Sequence, residues 1–239
     1  MTATARRIGL LGGTFDPIHR GHLEVADAAL AELHLTRMFM VTSNVPPHRP
    51  QPCASVYHRF AMVAIAVLDR PDWRAADVEL RHDAPSFTSR TLQCFHERGY
   101  AASELFFVIG ADAFADIESW RDYPHILNRA HFVVVSRPGF SIVEIPRRLP
   151  ALAPRMAQPP MDAGGRSNPS IILIDRETTD VSSTAIRQRV AAGESIAGLV
   201  PAGVRQHIEQ HGLYTSMTPW RRASDASKIP AAGRLHGQE

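Results

Sequence analysis

Apolar residues along the chain fall into short continuous runs separated by longer stretches with helical spacing. The runs Arg6–Leu11, Arg37–Thr42, Trp73–Leu80, Glu104–Ile109, His131–Val135 and Ile171–Ile174 predict strands, closed by turn signals such as Gly12, Gly110 and Pro138-Gly139. Between them, Gly21–Leu35 places Leu23, Ala26, Leu30 and Leu33 on one helical face. Val56–Leu68, Thr88–Arg98 and Ser183–Ala192 predict further helices, with short ones over Asp112–Trp120 and Tyr123–Leu127. Such alternation implies parallel strands joined by right-handed crossovers. The expected fold is α/β, a doubly wound Rossmann-like parallel sheet with helices on both faces, in a single domain. Ligands of such sheets bind beyond the carboxyl ends of the strands. The loops starting at Gly12, Ser43, Gly110 and Thr179 are therefore expected to share one crevice.

Two stretches stand apart from the pattern. Arg147–Pro169 is rich in Pro, Arg and Gly without a period and is expected to be an irregular excursion. Thr215–Glu239 is polar with little to bury, so a domain over 1–214 followed by a disordered tail over 215–239 is expected.

Composition narrows the function classes. A chain of 239 residues suits one domain with a sizeable core. Net charge is +2, and no basic cluster is interleaved with aromatics, so nucleic acid is not an expected partner. The two cysteines, Cys53 and Cys94, make neither a disulfide framework nor a metal motif, which points to a reducing compartment and a cytoplasmic protein. No apolar run approaches the ~20 residues of a membrane span, and Met1–Arg7 does not open a signal peptide.

The candidate chemistry begins at residues 12–22, GGTFDPIHRGH, where a strand meets a helix. Gly12 and Gly13 permit a tight turn and a close backbone approach to a ligand. A helix N-terminus behind such a turn binds anions, because its unpaired N–H groups point outward. His19 and His22 are three apart, so one helical turn puts both imidazoles on the same face. A second phosphate-side element follows Ile171–Ile174: VSSTAIR at 181–187. It has more hydroxyls (Ser182, Ser183, Thr184) than one cap requires, and Arg187 lies one turn beyond Thr184 with a fork suited to phosphate. In FVIGADAFADIESW at 107–120, Gly110 lets a nucleotide lie against backbone. Asp112 there serves either a ribose hydroxyl or a helix cap, and Trp120 is placed for stacking on an aromatic ring of the substrate.

The first motif resembles the signature of the nucleotidyltransferase superfamily, whose His-x-Gly-His element contacts a triphosphate. From about Arg7 to Tyr214 the chain is similar to the bacterial nicotinate-nucleotide adenylyltransferases. That resemblance rests on the three motifs above together with NVPPHR at 44–49, PSFTSRTL at 85–92, SRPG at 136–139 and SIAGLVPAGVRQHIEQHGLY at 195–214. It implies adenylyl transfer from ATP to nicotinate mononucleotide, with release of pyrophosphate, as a step of NAD synthesis. The residues it implies for catalysis are His19, His22 and Arg187. For ATP binding it implies these three with Gly12, Gly13, Thr14, Phe15, Gly110, Asp112, Ser182, Ser183 and Thr184. For the mononucleotide it implies Asn44, His48, Arg49, Thr88, Trp120 and Arg137.

Mg²⁺ is expected to arrive bridging phosphate oxygens of ATP rather than in a protein cage. A homo-oligomer is left open. The chain departs from the family pattern at Arg49, where Lys is common, at Phe87, where Tyr is common, and at Arg90, where an acid is common. All three lie on the acceptor side. Phosphopantetheine adenylyltransferases and cytidylyltransferases share the first motif but not the segments at 85–92 and 110–120. Class I aminoacyl-tRNA synthetases would need a Lys-Met-Ser-Lys-Ser-like loop that is absent. A nucleotide sensor without chemistry would need fewer cationic groups at the phosphates.

Overall fold

In the computed structural model, which describes residues 6–45, 51–81, 85–160 and 168–215, the apolar runs assemble into one seven-stranded sheet whose neighbouring pairs are all parallel. The strands are β1 (Ile8–Gly13), β2 (Arg37–Thr42), β3 (Trp73–Ala76), β4 (Leu105–Gly110), β5 (His131–Val135), β6 (Met156–Ala157) and β7 (Ile171–Ile174), ordered β3-β2-β1-β4-β5-β7-β6. The helices are α1 (Arg20–Glu32), α2 (Val56–Ala66), α3 (Thr88–Glu97), α4 (Ala111–Phe114), α5 (Ile145–Arg148), α6 (Ser183–Ala191) and α7 (Ala202–Gln210).

Continuous apolar strands are what a sheet covered on both faces demands. In β4, Phe106 and Val108 pack into one core with residues of α1, α2, α6 and α7, whereas Leu105, Phe107 and Ile109 pack into the other with Leu92 and Phe95 of α3 and Phe114 of α4. β5 and β7 alternate in the same way. The doubly wound architecture follows, as the alternation predicted. From β1 the chain winds outward through β2 and β3, then returns to β4 on the other side of β1. The topological switch point therefore lies between the carboxyl ends of β1 and β4, at Gly13 and Gly110, the place where sheets of this kind bind their ligands.

Four expectations are corrected. Gly12 and Gly13 do not form the turn. They finish β1, in register with Val41 and Thr42 of β2, and Phe15 makes the turn at φ +50°. The strand expected over Trp73–Leu80 stops at Ala76, which pairs with Val41 of β2, because the chain then turns through Leu80 N–H to Asp77 C=O, 2.9 Å. The helix expected over Asp112–Trp120 divides into α4 and a 3₁₀ turn at Ile117–Ser119, and Tyr123–Leu127 becomes a 3₁₀ turn at His125–Asn128. The excursion Arg147–Pro169 is partly regular. Its β6 adds a two-residue edge to β7, too short to leave a period in the sequence. Residues 161–167, like the tail from 216 onward, lie outside the described residues. No helix among the described residues is long and apolar enough to cross a membrane.

Candidate active site

The turn after β1 is held from several directions at once. Phe15 is buried, and its ring lies 2.8 Å from where a Cβ on Gly13 would stand, so position 13 must be glycine. At Gly12, which is exposed, an added Cβ would meet only the Phe107 ring at 3.7 Å, an ordinary contact. Nothing among the described residues thus excludes a side chain at position 12, whereas a ligand lying along the strand end would. The Asp16 carboxylate accepts from Cys53 N–H at 2.7 Å, Ala54 N–H at 3.0 Å and the Tyr214 hydroxyl at 2.8 Å. Burial, with the charge of Asp16 and that last bond adding to it, pushes the Tyr214 phenol up. From α2, buried Arg59 donates to the carbonyls of Thr14 (2.7 Å), Ser43 (2.7 Å) and Asn44 (3.1 Å), joining the loops that follow β1 and β2.

His19 precedes α1 and His22 lies in its first turn, so the backbone places both rings at the helix N-terminus. The rings stack with centroids 3.7 Å apart, and His22 also meets the edge of Phe15 at 5.0 Å. His22 Nδ1 accepts from the His19 backbone N–H at 3.3 Å, which leaves its Nε2 as a donor. Burial, with the charge of Arg137 adding to it, lowers His19 to about 3, so its imidazole is neutral near pH 7. A neutral ring can stack on His22 without repulsion and can still donate one hydrogen bond.

The second phosphate-side motif docks on the first. Arg187 Nη1 donates to Asp16 C=O at 2.7 Å, and Ser183 Oγ donates to Pro17 C=O at 2.9 Å. The hydroxyls read as surplus have structural partners. Ser182 caps α6 by accepting from Ala185 N–H at 3.1 Å, and Thr184 Oγ1 accepts from Arg187 Nη2 at 3.2 Å. Thr184 thus braces Arg187, while Ser182 and Ser183 fix the start of the helix that carries it.

Across the switch point, Gly110 is crowded by two side chains. A Cβ there would stand 2.5 Å from Asp112 Oδ1 and 2.6 Å from Arg137 Cδ. Of the two readings of Asp112, the cap falls away, since α4 begins without a side-chain cap. Asp112 faces Arg137 at 3.6 Å, and its Oδ1 is buried with no hydrogen-bond partner among the described residues. Such an oxygen suits a hydroxyl donor from a ligand. Half-buried Trp120 meets Phe107 edge-on at 6.3 Å, the ring that also underlies Gly12.

On the acceptor side, Asn44 N–H donates to Ser86 Oγ at 2.8 Å and Ser86 N–H to Val45 C=O at 2.9 Å. These bonds bring the start of the Pro-rich loop beside Thr88, the first residue of α3. His48 and Arg49 lie outside the described residues. The sequence reading did not single out Asp16, Arg59 or Tyr214. Asp16 stood inside the quoted motif. Arg59 carried a signal, since it occupies an apolar-face position of α2 with Met62, Val63 and Ala66.

His131, at the start of β5, shares the cause that acts on His19. Burial lowers it to about 4, and its Nδ1 accepts from Ser170 N–H at 3.1 Å. Both folded-state values lie below the ordinary 6.5, so the unfolded chain takes up protons first as the pH falls. The contribution is complete above about pH 6.5 and is lost toward pH 4, at about 1.4 kcal/mol per pH unit per histidine. Urea melts between pH 7 and pH 4.5 should show this decline. His131→Asn, whose amide oxygen can replace Nδ1 as acceptor, should flatten it by one proton, and an unchanged slope would refute the assignment.

The family described as cytidylyltransferase-like matches residues 10–189. A probable nicotinate-nucleotide adenylyltransferase of Roseiflexus is 41% identical over 208 residues, covering 87% of this chain and 97% of that protein. The nicotinate-nucleotide adenylyltransferase of Salmonella typhi is 36% identical over 206 residues, covering 86% and 97%. Among solved structures, a Plasmodium falciparum nicotinic acid mononucleotide adenylyltransferase in complex with NaAD aligns with TM-score 0.68 at 20% identity, over 88% of this chain and 98% of that one. At that identity the likeness establishes the fold alone.

Proposed function

Since the chain belongs to the cytidylyltransferase-like family and, within it, to the nicotinate-nucleotide adenylyltransferases, we propose that it transfers the adenylyl group of ATP to nicotinate mononucleotide, with His19, His22 and Arg187 handling the phosphates. The products are nicotinate adenine dinucleotide and pyrophosphate, in NAD biosynthesis. The observation that carries the residue assignment is the docking of the two phosphate-side motifs on one turn, through Arg187 to Asp16 C=O and Ser183 to Pro17 C=O.

A phosphate oxygen of the mononucleotide attacks the α-phosphorus of ATP. The new P–O bond forms as the bond to the β-phosphate oxygen breaks, and its electron pair leaves with pyrophosphate. The attacking phosphate is already ionised, so no general base is needed, in keeping with a His19 too weakly basic to be one. The work of the site is alignment and charge stabilisation. Arg187 supplies a fixed cation and His22 Nε2 a donor at the helix N-terminus. Gly12 leaves room for the nucleotide along the strand end, between Thr14-Phe15 on one side and Gly110 on the other. Asp112 Oδ1 accepts from a ribose hydroxyl. Mg²⁺ enters as part of the substrate, MgATP, because Asp16 is engaged by three protein donors and Asp112 faces Arg137. It offsets charge on the phosphate oxygens. Trp120 stacks on the pyridine ring and Thr88 holds its carboxylate. Asn44, His48, Arg49 and Arg137 serve the mononucleotide, with Arg137 or Arg49 holding its phosphate. The unpaired Cys53 and Cys94 suit a cytoplasmic location.

Pyrophosphate release with ATP and Mg²⁺ tests the reading, with nicotinate mononucleotide, nicotinamide mononucleotide and phosphopantetheine compared as acceptors. The expected result is a clear preference in kcat/KM for nicotinate mononucleotide. Equal or better use of the amide would overturn the role of Thr88 while keeping the reaction. Turnover only with phosphopantetheine would overturn the acceptor assignment, and ATP binding without turnover would overturn the enzymatic reading.

A further inference from the structure

Where α2 packs against α7, three histidines meet. His58 lies in the first turn of α2, His207 lies in the last turn of α7, and His211 follows one turn beyond it. His58 Nδ1 and His207 Nε2 stand 3.1 Å apart. The His211 ring is centred 4.9 Å from that of His58 and 4.4 Å from that of His207. One ring nitrogen from each lies within 4.8 Å of the other two, and no other group of ligating side chains among the described residues meets in this way.

We infer that His58, His207 and His211 form a binding site for a divalent transition-metal ion, Zn²⁺ foremost, which clamps α7 to α2 with water completing the coordination. Three imidazoles with no carboxylate select zinc and its first-row neighbours over Mg²⁺ or Ca²⁺. At Zn–N distances of about 2.0–2.1 Å, tetrahedral geometry sets ligand nitrogens roughly 3.3 Å apart. The His58–His207 pair is already at that separation. The exposed His211 closes the remainder, on the order of 1 Å, by rotating its ring on a helical i,i+4 spacing, which presents two imidazoles to one point. Without metal, one nitrogen of the His58–His207 contact must carry a hydrogen. The ion replaces that hydrogen, which moves to the other nitrogen of its ring. Burial and the neighbouring His211 lower both His58 and His207, which favours the neutral, ligating form.

The clamp bears on the crevice through its neighbours in sequence. Arg59, next to His58, holds the carbonyls of Thr14, Ser43 and Asn44, and Tyr214, three beyond His211, holds Asp16. Tying α7 to α2 therefore fixes both grips on the turn after β1. The site goes beyond the adenylyl-transfer reading and does not depend on it.

The test is titration of the metal-stripped full chain with Zn²⁺ against a chromophoric chelator, and with Co²⁺ followed by its visible absorption. One equivalent should bind, with the Co²⁺ bands of a low-coordinate nitrogen site. His211→Gln and His207→Gln should each weaken binding at least about tenfold, since even loss of an outer-shell partner costs a metal site about that much. Thermal melts should rise by roughly 5–10 °C at a hundredfold excess over Kd, a shift that EDTA reverses. Because His211 is exposed, His211→Gln should melt like the parent in EDTA, which keeps the test open if His207→Gln folds poorly. Absence of saturable one-equivalent binding would overturn the proposal. So would binding that both variants leave unchanged, which would place the ion at other histidines such as the stacked His19–His22 pair.

Discussion

An Arg59→Met variant is expected to lose about 3–5 kcal/mol of folding stability, a fall of order 10 °C in Tm, and most of its activity. The side chain is 1% exposed and reaches three backbone carbonyls, those of Thr14, Ser43 and Asn44. Hydrogen bonds from a charged donor contribute about 1.5–3 kcal/mol each, and every carbonyl left buried without a donor costs about 1–3 kcal/mol. Methionine fills most of the space but answers none of the three. Burial lowers Arg59 from its ordinary value, with the negative charge of Asp16 opposing, so the site already bears the cost of holding a cation there. Arg59→Lys should recover little, because one ammonium on a flexible stem cannot span what a planar fork spans. The activity loss follows from geometry. Thr14 lies on the turn between β1 and α1 and Asn44 on the loop after β2, the segments proposed to serve ATP and the acceptor, and Arg59 joins the two. Urea denaturation with pyrophosphate release measures both effects, and a variant within 1 kcal/mol of the parent would refute the account.

His22→Ala is expected to lower kcat by roughly 10²-fold or more while moving the KM for ATP only a few-fold, the signature of a contact made mainly in the transition state. The ring is held on two sides, by stacking on His19 at 3.7 Å and by the edge of Phe15 at 5.0 Å, and its Nδ1 is occupied by the His19 N–H at 3.3 Å. With Nδ1 accepting, Nε2 carries the hydrogen of the neutral ring, and the two ring contacts set its direction. Alanine removes that donor without touching the Asp16, Arg59 and Arg187 contacts that shape the turn, so the melting temperature should stay close to the parent's. A variant within threefold of the parent in kcat would remove His22 from the catalytic group. A parallel loss of stability would mark it as structural instead.

Much of this was legible in the amino-acid order. β2, β5 and β7 begin and end where the apolar runs do. A strand covered on both faces is apolar through its middle, and that constraint is local. The phosphate-side motifs were legible for a similar reason, since His19 and His22 are placed by one helical turn and Arg187 by one turn from Thr184. The parts that failed were short or depended on partners far along the chain. β6 and the 3₁₀ turns are shorter than any period that could reveal them. The paired glycines were read as the turn because glycine tolerates positive φ, yet Phe15 takes that conformation, and Gly13 is glycine only because the Phe15 ring lies on it.

The sequence by itself therefore determined the sheet, its two covered faces and which motifs stand at the carboxyl ends of its strands. These follow from periodicity and from the chemistry of neighbours within one turn. Tertiary structure alone decided what each charged or polar group does. It made Arg59 a clasp for three carbonyls and Asp16 an anchor for three donors. It turned the surplus hydroxyls of α6 into supports for Arg187, made His19 neutral, and brought His58 to His207 and His211 from the far end of the chain. Burial and long-range pairing set protonation and hydrogen-bond partners, and neither exists until the chain has folded.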